Sequence, residues 1–264
     1  MKFTKMHGLG NDYLYVYGEV PGNAAELSKK LSERHLGAGS DGMIYISKSS
    51  IADFKMRIFN ADGSEAKMCG NGIRCVGKYV YDKGYTDKKF LSIETLSGVK
   101  YLTLQIVGGK VKTITVDMGQ AEAEKAMNLT VDGETVSLFP VSVGNPHAVI
   151  FVDDIEKAPL TKLGPIIEHH EAFPDGVNVE FVQVLGADKL RMRVWERGSG
   201  VTMACGTGAC ASVMAAIAAK HCHYDETVSV VLDGGILKIK IAADNTVQMT
   251  GPAETIYEGE TEIC

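Results

Sequence analysis

Two stretches of this 264-residue chain carry the same unusual signature. MCGNGIRC covers residues 68–75 and ACGTGACA covers 204–211, and each sets a cysteine directly before Gly-x-Gly. A cysteine at the start of a helix sits at the positive end of the helix dipole, which favours the thiolate. Glycines after it let backbone N–H groups approach a ligand, and a helix start is a ready carboxylate site. Each stretch therefore offers a base beside an anion cradle. Two such bases suit one reaction class, inversion at a carbon. One group takes the proton from one face, a second delivers a proton to the other, and the two stand in opposite protonation states. The charge that develops on the substrate would be stabilised by the helix ends. No lysine motif announces pyridoxal phosphate, so the expected site works without a cofactor and without a metal.

The elements that position these cysteines repeat. At an offset of 136, MRIFNADGSEAKMCGNG from Met56 falls on MRVWERGSGVTMACGTG from Met192, with Cys69 on Cys205. TLSGV (95–99) falls on VLDGG (231–235) at the same offset. At 134, LGNDYLYV (9–16) falls on VGNPHAVI (143–150), and DGMIYI (41–46) on DGVNVE (175–180). Shared order and near-constant spacing imply two equivalent halves. The first is expected over 1–117 plus 252–264 and the second over 118–251, with the site in the cleft between them. Alternating apolar runs predict strands in both halves, including a hairpin about Gly108-Gly109. Helices are predicted at 24–36, 70–83, 162–171 and 206–221. TGACASVMAAIAAK (207–220) is small and apolar on nearly every face, so its helix must be buried all round. The expected fold is α+β: two pseudo-symmetric domains, each a curved mixed β-sheet or barrel around a central helix. GAGSDG (37–42) matches a dinucleotide fingerprint, but a helix precedes it and a strand follows, the wrong order for that fold.

Composition narrows the class. With 45% hydrophobic and 23% charged residues the chain reads as an ordinary soluble globular protein. A net charge of −6 argues against a nucleic-acid surface. No apolar run reaches membrane-span length, and MKFTKMHGLGND lacks a signal-peptide core. A cytoplasmic location is expected, with reduced thiols. The spacings of the six cysteines fit no zinc site, and no C-x-x-C is present. Cys75, Cys210, Cys222 and Cys264 read as small packing residues rather than reactive groups.

HGLGNDY, FNADGSEAKMCGNGIRC, GNPH, GVNVEF, ERGSGVTMACGTGA and GPAETIYEG, in this order and across essentially the whole chain, resemble diaminopimelate epimerase. The resemblance implies a cofactor-independent, homodimeric epimerase that interconverts LL- and meso-2,6-diaminopimelate on the route to lysine and the cell-wall cross-link. It implies that Cys69 and Cys205 are the catalytic pair. Gly70, Asn71, Gly206 and Thr207 would hold the reacting carboxylate. Asn11, Asn60, Asn145 and Asn178 would line the pocket, and Glu196 and Arg197 would contact the substrate. His147 and Glu196 would assist catalysis, and Tyr257 would lie at the dimer contact. The substrate carries a charged amino-acid head at each end, and Arg, Glu and Asn are fitting partners for the distal one. One departure stands out: many family members have a substrate-contacting glutamine where this chain has Gly42. A proline or hydroxyproline racemase would share the layout without needing the distal clamp that Glu196-Arg197 provides. A non-catalytic binding module would not need two equivalent cysteines, and a redox couple would call for C-x-x-C.

Overall fold

The computed structural model describes residues 1–263, so Cys264 lies outside the described residues. The chain divides into two compact units, Met1–Val116 with the residues from Gly251 onward, and Asp117–Thr250.

In the first unit, β1 (Lys2–Gly8) and β2 (Asn11–Tyr17) form a hairpin. Leu9 and Gly10 close it with φ of 59° and 89°, the left-handed pair that a two-residue turn requires. After α1 (Ala24–Ser32), β3 (Gly42–Ser47) runs parallel to β2. β4 (Phe54–Asn60) is antiparallel to β3, and the short β5 (Glu65–Ala66) folds back on β4. Then come α2 (Gly70–Asp82) and β6 (Phe90–Thr95), which is parallel to β4. β7 (Gly98–Val107) and β8 (Lys110–Gln120) follow as antiparallel neighbours. The hairpin between β7 and β8 turns on Gly108 and Gly109, both at positive φ.

The second unit runs the same course. β9 (Glu122–Ala123) and β10 (Met127–Val131) both pair with β11 (Glu134–Ser142), which is antiparallel to β12 (Pro146–Phe151). α3 (Leu160–Glu168) crosses to β13 (Asn178–Gly186), parallel to β12. β14 (Lys189–Glu196), β15 (Gly200–Val201), α4 (Gly206–Ala218), β16 (Thr227–Leu232), β17 (Gly235–Ile241) and β18 (Thr246–Gly251) repeat the sequence from β4 to β8. The chain ends in β19 (Glu254–Glu260), which pairs with β1 as β9 pairs with β11.

Strand register sharpens the repeat. Ile44 lies opposite Ile58, and Glu180 lies opposite Val194. The β3/β13 offset is therefore 136, not the 134 that matching DGMIYI to DGVNVE suggests. At the next hairpin Thr95 pairs with Gly98, and Leu232 with Gly235, an offset of 137 rather than 136. The differences arise in the β12–β13 and α4–β16 connections, where chain length is free to vary.

Each unit places a helix on both faces of its strands. Leu27 and Leu31 of α1 pack with Leu14, Met43, Tyr45 and Phe59. Leu160, Leu163 and Ile167 of α3 pack with Val177, Val179 and Phe181. Successive strand residues face opposite sides, so Ile44 and Glu180 point the other way, toward α2 and α4. Those two helices are 13 residues each and almost wholly buried. α4 is apolar, as its composition demands; its one buried hydroxyl, Ser212, donates to the Gly208 carbonyl at 2.7 Å. α2 instead buries Arg74 and Lys78, whose charges are met by backbone carbonyls and side-chain oxygens. α1 and α3 stop at Ser32 and Glu168, earlier than their polar-apolar pattern suggests, because Glu33 turns extended and His169 leaves the helical region.

Candidate functional site

Cys69 is the N-cap of α2. Its backbone is extended (φ −138°, ψ 117°), and its Sγ accepts the N–H of Gly72 at 3.3 Å. Serine, threonine, aspartate and asparagine fill this position far better than a weak sulfur acceptor, so local helix physics gives no reason for cysteine here. The thiol also donates to Asn11 Oδ1 at 3.4 Å. Asn11 is fixed in turn, its Nδ2 donating to Asp41 Oδ2 at 2.8 Å. Burial raises the Asp41 carboxyl above its ordinary range, against the opposing pull of the Asp12 N–H and the Asn11 amide. Asn71 is buried behind Gly70 and accepts from Arg74 Nη2 at 2.9 Å. Arg74 Nη1 holds the Gly70 carbonyl at 3.0 Å, so one fully buried guanidinium braces the whole turn. Asn60, at the end of β4, donates to Ser64 Oγ at 3.0 Å and stays within its own loop.

Gly42 has no room for a side chain. A Cβ there would lie 2.2 Å from the Phe59 carbonyl oxygen and 2.9 Å from Asn60 Cα, and φ is +155°. A glutamine at this position would require the β3–β4 backbone to move.

Cys205 caps α4 in the same way, extended (φ −110°, ψ 114°), with Sγ accepting the Gly208 N–H at 3.3 Å. The surroundings differ. Sγ lies 3.5 Å from Thr207 Oγ1, and Asn145 Nδ2 donates to that hydroxyl at 3.3 Å. Asn145 Oδ1 faces His147 Nε2 at 3.2 Å, and His147 Nδ1 meets Glu180 Oε1 at 2.7 Å. The His147 and Glu180 side chains are both fully buried. Burial raises the Cys205 thiol well above its usual range, and the Glu196 and Glu180 carboxylates push it further. Glu196 is raised as well, chiefly by burial, while the Thr202 hydroxyl that donates to it pulls the other way. Asn178, at the start of β13, donates to the Pro146 carbonyl at 3.0 Å and accepts the Arg197 N–H at 3.0 Å. The Arg197 side chain is exposed and donates from Nη1 to the Asp175 carbonyl at 2.8 Å.

The second unit thus gathers Asn145, His147, Asn178, Glu196, Cys205, Gly206 and Thr207 into one cluster, which Arg197 joins through its backbone N–H while its side chain turns to Asp175. The first gathers Asn11, Cys69, Gly70 and Asn71, with Asn60 in the adjoining loop. Tyr257 lies elsewhere, on β19, with its ring edge against Phe3 and its hydroxyl donating to the Ala38 carbonyl at 3.4 Å. Cys75, Cys210 and Cys222 are buried, consistent with packing. Sequence reasoning missed Asp41, Arg74 and Glu180. Arg74 and Asp41 could not have been found without the hydrogen bonds they make. Glu180 was no easier to find, because in VNVEFV it alternates with Val177, Val179 and Phe181 and shares a face with Asn178, as on a strand with one side in water. Among the described residues, no three His, Cys, Asp or Glu side chains come together so as to hold a metal ion. Among the described residues, no helix is long and apolar enough to cross a membrane.

Chemically, each unit offers a sulfur at a helix start, backed by amides. One sulfur is engaged by an asparagine carbonyl, and the other sits among carboxylates, a histidine and a hydroxyl. The chain is similar to known proteins over nearly its whole length. The sequence profile of the family described as Diaminopimelate epimerase matches residues 3–124 and 139–256. A protein of Acetivibrio thermocellus named diaminopimelate epimerase is 48% identical, the match covering 100% of this chain and 99% of that one. One of Bacteroides thetaiotaomicron with the same name is 51% identical over 99% of this chain and 98% of its own. A crystal structure described as a probable proline racemase of Agrobacterium radiobacter shares the fold. Its TM-score is 0.73 at 16% identity, covering 100% of this chain and 93% of that one. With its profile matched along most of its length and relatives near half identical end to end, this chain belongs to the diaminopimelate epimerase family.

Proposed function

We propose that the protein interconverts LL- and meso-2,6-diaminopimelate without a cofactor, using Cys69 and Cys205 as its two bases. The observation that carries this is the doubled cap: two sulfurs, each accepting the N–H three residues on at 3.3 Å, at the starts of two equal helices. Inversion requires the two sulfurs to address opposite faces of Cα in the substrate-bound state. Burial and neighbouring carboxylates favour Cys205 as the resting thiol, which leaves Cys69 as the first base. The Cys69 thiolate takes the Cα proton while the Cys205 thiol gives its proton to the other face. One turnover leaves the thiol on Cys69 and the thiolate on Cys205, ready for the reverse reaction. The N–H groups after Gly70 and Gly206 receive the reacting carboxylate and the charge that develops on it, with Asn71 and Thr207 beside them.

The distal amino-acid head falls to Arg197, Glu196 and the asparagines Asn11, Asn60, Asn145 and Asn178. Arg197 is the natural clamp for its carboxylate. His147 and Glu196 support the chemistry of Cys205. The protein is proposed to work in the cytoplasm as a homodimer, with Tyr257 and its exposed β19 neighbour Ile256 at the contact.

The test is isotope exchange. The purified protein in reducing D2O buffer is given LL-diaminopimelate and the Cα–H signal is followed. Loss of that signal with growth of the meso form is expected, and Cys69→Ser or Cys205→Ser should each slow it by about 100-fold or more. No exchange, or exchange with proline instead, overturns the proposal.

A further inference from the structure

The two helix starts share their cysteine caps and their glycines but differ at a buried position behind them. In the first unit, a Cβ on Gly72 would meet Ile44 Cδ1 at 2.7 Å. In the second, a Cβ on Gly208 would meet Glu180 Oε1 at 2.6 Å and Cys205 Sγ at 3.2 Å. Ile44 and Glu180 hold the same register position, so an apolar side chain fills this space adequately. Packing therefore does not call for a carboxylate. It is an unfavourable one besides: Glu180 is 0% exposed, and among the described residues its Oε2 has no hydrogen-bond partner. Burying such a charge costs several kcal/mol unless a partner meets it. The partner is His147, whose own counterpart at the offset of 134 is Tyr13.

We propose that Glu180 is a positioning residue for the epimerisation, holding His147 so that a chain of donors runs from the imidazole through Asn145 and Thr207 to Cys205 Sγ. This rests on the roles given above to Cys205 and His147. His147 stands between two oxygens, Glu180 Oε1 at 2.7 Å and Asn145 Oδ1 at 3.2 Å, and in the proposed arrangement the ring presents an N–H to each. Only the imidazolium does that, and Glu180 supplies the countercharge. With Oδ1 held by Nε2–H, the Asn145 amide directs Nδ2–H to Thr207 Oγ1 at 3.3 Å. Thr207, now an acceptor on that side, keeps its own hydrogen for Sγ at 3.5 Å. When Cys205 gives up its proton, its sulfur then has two donors, the Thr207 hydroxyl and the Gly208 N–H. Without Glu180 the ring loses one proton, the amide is free to turn over, and the hydroxyl turns back toward Asn145.

The test uses Glu180→Ile, which copies the packing of the first unit, and Glu180→Gln, whose carbonyl oxygen still accepts from Nδ1–H. The nitrogen resonances of His147 are assigned in labelled protein by comparison with His147→Asn. In the unaltered protein at pH 7 both ring nitrogens should carry protons, and in Glu180→Ile only one. Turnover of LL-diaminopimelate should fall about 10- to 100-fold in kcat for Glu180→Ile with KM little changed, and Glu180→Gln, which keeps the acceptor for Nδ1–H but not the countercharge, should fall as well, by less. A singly protonated His147 in the unaltered protein, or wild-type kcat in Glu180→Ile, overturns the proposal. Should Glu180→Ile fail to fold, the resonances and the Glu180→Gln kinetics decide, with wild-type kcat and an unchanged ring together counting against it. Absence of any turnover by the unaltered protein would refute the epimerase function separately, since the resonances do not depend on it.

Discussion

Replacing Gly208 with alanine tests the crowding at Cys205, and replacing Gly72 tests its counterpart. Both glycines are third in their helices, so alanine brings a similar gain of about 1 kcal/mol in helix propensity to each. The costs differ. The new methyl of Gly72→Ala meets the end of a flexible isoleucine at 2.7 Å, and Ile44 can shift at the ordinary overpacking cost of about 1–3 kcal/mol. The net change should lie between about zero and 2 kcal/mol. The methyl of Gly208→Ala meets a carboxylate oxygen at 2.6 Å, and that oxygen is tied to His147 at 2.7 Å in a site with no exposure. Glu180 can move only by breaking the pair, which costs about 3–5 kcal/mol in buried settings. Gly208→Ala should therefore lose about 2–4 kcal/mol net, lowering the melting midpoint by roughly 5–15 °C for a chain of this size.

Calorimetry or circular dichroism on both variants gives the comparison, and deuterium exchange into LL-diaminopimelate gives the activity. The pair matters more than either value. Gly208→Ala should be the less stable of the two and should lose turnover even at temperatures where it is folded, because the same methyl presses on Cys205 Sγ. Equal midpoints for the two variants, or a Gly208→Ala protein with normal exchange, would refute the claim that Glu180 is seated against the helix start.

Alkaline stability offers a second check. Burial pushes the Cys75 thiol up to about 12. Above the ordinary thiol range the unfolded chain is deprotonated while the folded one is not, so stability is full below pH about 9 and falls toward pH 12 by about 1.4 kcal/mol per unit for this one group. Urea melts between pH 8.5 and 10.5 should show a shallower decline in Cys75→Ala; an unchanged slope would mean that Cys75 titrates normally. Arg197→Lys keeps the charge but loses the two-pronged grip on a carboxylate. Steady-state kinetics should show KM raised about 10-fold or more with kcat nearly kept, the mark of uniform binding, and an unchanged KM would remove Arg197 from the clamp.

Much of this was legible in the sequence because the chain says it twice. The doubled cysteine motif located both caps to the residue, and the apolar faces of 207–220 required a helix buried on all sides. The hairpin at Gly108-Gly109 was equally plain. Registers were less accessible. DGMIYI and DGVNVE match at an offset of 134 by chance identity of Asp-Gly, whereas hydrogen bonding pairs the strands at 136. Loop length is physically loose, so sequence identity beside a loop is a poor guide to which residue faces the core. β10 and β19 also escaped notice: β10 alternates but is only 5 residues long, and β19 leaves nearly every side chain exposed and has no alternating pattern.

The register also explains why Glu180 was hidden. Either offset sets it against an isoleucine, Ile46 at 134 and Ile44 at 136, and a repeat read for likeness passes over such a mismatch. Yet inversion at carbon asks for likeness only in part. In the two-base scheme proposed above, the two sulfurs must be equal in kind, since each would serve as acid in one direction and base in the other. They must be unequal at any moment, since one carries a proton and the other does not. The caps, the glycines and the helix lengths meet the first demand, and they repeat. The groups behind the sulfurs bear on the second: Asn11 and Asp41 behind Cys69, and Thr207, Asn145, His147 and Glu180 behind Cys205. A fold made of two copies therefore places its specialised residues where the copies disagree. Ile44 against Glu180, Tyr13 against His147 and Arg74 against Cys210 are three such disagreements buried beside the helix starts.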